Sequence, residues 1–169
     1  MEIFHYLKME LSTKHLNTSV GDEGGFAPNL RSNQEALDLL TESIIQSNYK
    51  PGEEVFFTLD VASSEFYIKE KQTYEIDSEN RNLTSDQMID WYKKLCSNYP
   101  IVSIEDGLDE NDWKGWQNLY NELGKDIQLV GDDLTVTNPI RLQKAISTNA
   151  INAISVSYTH LTLPTNREV

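Results

Sequence analysis

The chain is poor in the residues that many binding chemistries need. Its one cysteine, Cys96, has no partner for an internal disulfide, so nothing asks for an oxidising compartment. Cys96 falls in a helical stretch before Tyr99-Pro100 and reads as a packed helix residue. Of the three histidines, His5 and His15 lie in or beside an N-terminal helical pattern with no partner at metal-ligand spacing, and His160 receives no role. Cations are scarce as well: 14 Lys and Arg against 27 Asp and Glu, a formal net charge of −13. Phosphate contacts need clustered Lys and Arg, so nucleic-acid binding is excluded as a leading reading. No apolar run approaches the ~20 residues that span a bilayer. The opening M-E-I-F-H-Y-L-K-M-E lacks the charged start and apolar core of a signal peptide. The expected compartment is the cytoplasm.

What the chain does have is a recurring strand that stops on an acid. Val55–Asp60 (V-F-F-T-L-D), Ile101–Glu105 (I-V-S-I-E) and Ile127–Asp132 (I-Q-L-V-G-D) each run apolar and end on a carboxylate. A fourth apolar run covers Ala150–Val156. Helical patterns separate them: Met88, Ile89, Trp91, Tyr92 and Leu95 after Thr84; Trp113, Trp116, Leu119 and Leu123 after the acidic loop; Ile140, Leu142 and Ile146 after Thr137-Asn138-Pro139. Strand and helix in alternation predict an α/β fold with a parallel sheet, whose working residues gather at the C-terminal strand ends. Four strands cannot close a barrel, so the pattern looks like about half of one.

Three further segments complete the pass. Residues 2–15 predict an amphipathic helix on Ile3, Phe4, Leu7 and Leu11, and a second helix starts at Ser32 or Asn33 and stops at Tyr49-Lys50-Pro51-Gly52. Thr18–Leu30 holds Gly21, Gly24 and Gly25 around Asp22 and Glu23. A solvated turn and a loop presenting a carboxyl group for acid–base work are both open there. Tyr67–Leu83 is dense in charge and reads as a solvated hairpin or excursion.

Strand-end acids can serve simply to cap the helices that follow. Asp60, Glu105 and Asp132 on one rim would instead repel unless a cation lay between them. An all-oxygen donor set without His or Cys favours Mg²⁺ over Zn²⁺. With a nearby carboxylic acid, such a site suits a reaction in which negative charge develops on a carboxylate substrate.

The motifs G-D-E-G-G-F-A-P-N (21–29), L-D-V-A-S-S-E-F (59–66), Y-P-I-V-S-I-E-D-G (99–107) and V-G-D-D-L-T-V-T-N (130–138) resemble those of enolase, the phosphopyruvate hydratase of glycolysis. S-I-E-D-G-L-D-E-N-D-W (103–113) is similar to bacterial rather than animal forms. The resemblance runs from Glu2 to Val156. It implies a partial (β/α)8 TIM-like barrel of the enolase superfamily, truncated at both ends, from a parent usually assembled as a homodimer or higher homo-oligomer. It implies a lyase that interconverts 2-phosphoglycerate and phosphoenolpyruvate with Mg²⁺. Glu23 matches the family's proton donor, and Asp60, Glu105 and Asp132 match its Mg²⁺ ligands; Asp133 does not. No substrate-binding residue is assigned.

The pattern departs from the family near the end. Enolases carry a Lys base on the next strand, where this chain reads N-A-I-S-V-S and places Ser157. Residues 157–169 have no enolase character and are expected to be a foreign or frame-shifted tail. The chain is therefore expected to be inactive alone. Two other readings are weighed: a non-catalytic role on the cell surface or secreted, binding host proteins, and a mandelate-type member of the superfamily. The first usually relies on exposed lysines, which are few here; the second lacks the G-D-E-G-G and D-D-L-T-V-T-N motifs.

Overall fold

The computed structural model describes residues 2–21 and 24–156. Helix α1 (Glu2–Thr13) packs on α2 (Asn33–Gln46), burying Leu11 and the Leu37, Leu39 and Ile44 side of α2. Ser32 is the N-cap of α2, its hydroxyl accepting from the Glu35 N–H at 3.1 Å. Strand β1 (Phe57–Asp60) follows, then β2 (Tyr67–Ile68), β3 (Thr73–Ile76) and β4 (Arg81–Leu83). Helix α3 (Ser85–Asn98), β5 (Ile101–Glu105), α4 (Trp113–Leu123), β6 (Gln128–Gly131), α5 (Pro139–Ser147) and β7 (Ala153–Ile154) complete the order.

The sequence marks the helix starts well. Thr84 and Gln87 form a reciprocal capping box at α3: the Thr84 hydroxyl accepts from the Gln87 N–H, and the Gln87 side chain accepts from the Thr84 N–H at 2.9 Å. Asn138 caps α5 by accepting from the Ile140 N–H at 2.9 Å, with Pro139 in the first helical position. Cys96 is half-buried on α3 against the core, and burial pushes its thiol up, as suits a packing residue.

Strands β1, β5, β6 and β7 pair in that order, all parallel, and among the described residues this four-stranded sheet does not close into a barrel. Register sorts the side chains. Leu59, Ile104 and Leu129 are paired across β1, β5 and β6 and form one row. Ile104 and Leu129 are fully buried there, in the same cluster as Tyr92 and Leu95 of α3 and Trp116 and Leu119 of α4. Because side chains alternate with period two, Thr58–Ser103–Gln128 and Asp60–Glu105–Val130 fall on the opposite face. The helices cover one side of the sheet and the acids stand on the other.

The short last strand is fixed by one amide. The Asn152 side chain accepts from the Leu129 N–H at 2.6 Å and donates to the carbonyls of Gly124 and Ile127, each at 3.0 Å. Its own N–H donates to the Leu129 carbonyl at 3.2 Å.

One expectation needs correction. Tyr67–Leu83 is not a solvated excursion: β2, β3 and β4 form a three-stranded antiparallel sheet that belongs to the core. Tyr74 is fully buried, and Ile76 and Leu83 join the cluster around Met88. Thr73 and Glu75, which alternate with them, are half-buried, the pattern of a strand covered more on one face than the other. The density of charge in the segment masked that alternation.

Leu129 sits at the centre of the sheet with no exposure. Leu129→Ala is expected to cost about 2–5 kcal/mol in chemical denaturation, the range for truncating a fully buried leucine. A loss under about 1 kcal/mol would contradict this account of the core.

Candidate functional site

The acids predicted for the rim lie at or just past the C-terminal ends of neighbouring strands, with one offset. Asp60 and Glu105 are direct register partners at the C-terminal ends of β1 and β5. The next partner in that row is Val130, so Asp132 stands two residues further on, just past the end of β6. Two residues is one full side-chain period, which returns Asp132 to the same face as Glu105. The three are brought together as neighbours but not as a level row.

Left-handed non-glycine backbone occurs at several places in the chain, and the rim turns hold four of them. Ala62, Asp106, Val136 and Thr137 all have left-handed φ values, of 45°, 44°, 43° and 52°. Val136 and Thr137 are β-branched, the residue type least suited to that region. Each of the three strand-end turns therefore carries at least one residue whose conformation is imposed by its surroundings, the kind of stored strain that gathers at functional sites.

Electrostatics tie the same residues together. Burial, followed by the charges of Asp60 and Asp132, pushes the Glu105 carboxyl above the ordinary range, and the nearby Ser155 hydroxyl opposes the shift. Asp133 is raised first by burial and then by Asp132, Glu110, Asp60 and Glu65. Asp106 is pushed up to about 6, chiefly by burial, while N–H bonds from Asp133 and Asp132 pull it down. The rim is a concentration of negative charge in partly dry surroundings, and its acids would be relieved by a cation.

Among the described residues, no three His, Cys, Asp or Glu side chains stand close enough to grip a metal ion as they are placed. One atom shows that the site is short of a partner. Asp132 Oδ1 is buried and has no hydrogen-bond partner. A buried acceptor without a donor is costly, and a cation at this rim would satisfy it. An all-oxygen donor set, acceptor-only when ionised, fits a hard divalent ion such as Mg²⁺.

Asp106, immediately after Glu105, was not singled out in the sequence, although it is among the most buried acids of the rim, at 5% exposure. Its Oδ1 accepts from the Asp132 N–H at 3.1 Å and its Oδ2 from the Asp133 N–H at 3.0 Å. The only sequence signal is the adjacency of two acids at a strand end, which does not say which one turns inward.

Glu23 and its neighbour Asp22 lie outside the described residues, as do Ser157, His160 and the rest of 157–169. The flanks of the glycine loop are described. The Gly21 N–H donates to the Gly25 carbonyl at 2.8 Å, and Val20 bridges to Phe26. Gly24 has φ of +83°, which a side chain would strain, and Phe26 stacks on Phe4 of α1 with ring centroids 4.5 Å apart.

A cavity of about 500 Å³ lies elsewhere, between α2, β1, β3 and α3, and is mostly apolar. It touches the rim only through Asp60 and holds no arrangement of catalytic groups.

Compared with models of known protein families, residues 1–164 match the one described as the enolase C-terminal TIM barrel domain. The match covers nearly all of the 169 residues and agrees with an α/β chain built on a parallel sheet.

The raised carboxyls give a definite pH dependence. Each binds its proton more tightly in the folded than in the unfolded chain, so the folded state holds the extra protons between the ordinary carboxyl value and about 6 for Asp106. Stability therefore rises as pH falls through that window and is lost as pH climbs above it. In metal-free buffer, the melting temperature is expected to increase from about pH 8 to about pH 5. Of the about 3 kcal/mol that the full Asp106 shift represents, about 1.4 kcal/mol is gained by pH 5, and Asp106→Asn should flatten the slope. A melting temperature that falls over that range would refute the assignment of buried, raised acids.

Proposed function

We propose that this chain, which belongs to the enolase family through its C-terminal TIM barrel domain, holds Mg²⁺ on Asp60, Glu105 and Asp132. We propose with it the family reaction, the reversible dehydration of 2-phosphoglycerate to phosphoenolpyruvate. The observation that carries the reading is the placement of three acids at adjacent C-terminal strand ends, on one sheet face, with Asp132 Oδ1 buried and unpartnered. When bound, Mg²⁺ supplies positive charge against the negative charge that develops on the substrate carboxylate.

The chain's own residues then divide the work. Glu23, as a carboxylic acid on the glycine loop, gives its proton to the departing 3-hydroxyl, which leaves as water. The Gly21–Gly25 closure and the Phe26–Phe4 stack hold the flanks of that loop. Removal of the C2 proton needs a base, and Ser157 stands at the position where the family has Lys. A serine hydroxyl is too weak a base to take that proton unaided. The reading therefore separates metal binding from turnover. Assembly as a homodimer or larger homo-oligomer belongs to the same proposal.

Two measurements on the 169-residue chain test it. Mg²⁺ titration by calorimetry is expected to give saturable binding that Glu105→Gln and Asp132→Asn each weaken about tenfold or more, equal to about 1.4 kcal/mol. Unchanged affinity in both variants would sink the cation reading. In a phosphoenolpyruvate assay, the chain is expected to turn over far more slowly than an intact enolase, and Ser157→Lys to raise the rate. Turnover at the level of an intact enolase would remove the importance given to Ser157.

A further inference from the structure

We propose that Asp106 is a positioning residue that sets the distance between the three metal-bearing turns, an inference that rests on the cation reading of Asp132. The argument is one of connectivity. Five hydrogen bonds meet at Asp106 and its neighbour Glu105, and they reach every turn of the rim. The Val61 N–H donates to the Glu105 carbonyl at 3.0 Å, and the Ser63 N–H donates to the Asp106 carbonyl at 3.0 Å. Val61 follows Asp60 directly and Ser63 comes two residues later, so the β1 turn is tied to the β5 turn. On the other side, the Asp106 N–H donates to the Val130 carbonyl at 3.1 Å. The carboxylate then takes the N–H groups of Asp132 and Asp133, one on each oxygen, at 3.1 Å and 3.0 Å.

A carboxylate, with one acceptor oxygen for each N–H, completes that last pair of bonds. Two backbone donors converge on two oxygens, and an amide would turn an NH₂ donor toward one of them. The backbone at Asp106 is left-handed, φ 44°, and its carboxylate reaches across to the turn after β6. Burial at 5% exposure keeps water from replacing either bond. The two N–H groups flank the main chain that carries Asp132, so the clamp fixes where the unpartnered Oδ1 points. A group that orients a ligand without touching the cation is expected to change affinity by about tenfold or more.

The test uses Asp106→Asn in the full chain, with Asp132→Asn and Leu123→Ala as companions. Leu123 is a core residue of α4 that takes no part in the rim, so Leu123→Ala reports what simple destabilisation does to binding. Amide hydrogen exchange by NMR in metal-free buffer is expected to speed up at Asp132 and Asp133 in Asp106→Asn and to stay unchanged there in Leu123→Ala. Mg²⁺ affinity is expected to fall about tenfold in Asp106→Asn and to hold in Leu123→Ala. If Asp106→Asn does not fold, Asp106→Ser is read by the same two measurements. Unchanged exchange at the two amides overturns the proposal, and so does faster exchange with unchanged Mg²⁺ affinity while Asp132→Asn loses binding. If Asp132→Asn itself binds Mg²⁺ as the parent does, the cation reading has failed first and takes this inference with it.

Discussion

Parallel pairing at a fixed register is the constraint on which the rest of this structure depends. Once Leu59, Ile104 and Leu129 are locked into one row against α3 and α4, alternation leaves no freedom on the opposite face. Asp60 and Glu105 must emerge there together, and Asp132 follows just past the end of β6. Their mutual repulsion opposes the arrangement, but the burial of Ile104, Leu129 and Trp116 supplies far more than neighbouring carboxylates lose in partly solvated surroundings. Apolar packing on one side of the sheet thus holds an electrostatically unfavourable grouping on the other.

The turns beyond the strands need their own bracing, since sheet register stops at the strand ends. Aromatic hydroxyls supply part of it. Tyr92 of α3 donates to the Gly107 carbonyl at 2.7 Å, and Tyr74 of the antiparallel insertion accepts from the Asp109 N–H at 2.9 Å. Arg141 of α5 donates to the carbonyls of Leu134 at 2.6 Å and Glu110 at 2.5 Å, with its guanidinium over the Trp113 ring. The insertion, α3, α4 and α5 all send side chains to the same loops. This is how non-glycine residues such as Val136 and Thr137 can be held in the left-handed region.

Much of this was legible in the sequence, for physical reasons that differ by element. The strands and helices of the βα alternation announce themselves by burial, and the caps at Ser32, Thr84 and Asn138 by short polar side chains placed before apolar periodicity. The strand-end acids could be found because each interrupts an apolar run. The core face of Tyr67–Leu83 is hidden in the sequence because its buried residues, Tyr74, Ile76 and Leu83, are isolated among charges, and only their place in the tertiary cluster reveals it. Asp106 was invisible for another reason. Nothing in the pair Glu105-Asp106 tells which carboxylate faces the open rim and which turns beneath it; that depends on a single backbone dihedral.

Asn152 has a consequence for the far edge of the sheet. A strand as short as β7 has too few ladder bonds to choose its own alignment, and a slip by one residue would turn all its side chains to the wrong face. The three bonds of the Asn152 amide to Gly124, Ile127 and Leu129 would be lost together by such a slip. The alignment of the last strand is therefore fixed at the opposite end from the acids, where a single side chain acts as the vernier stop for the whole edge.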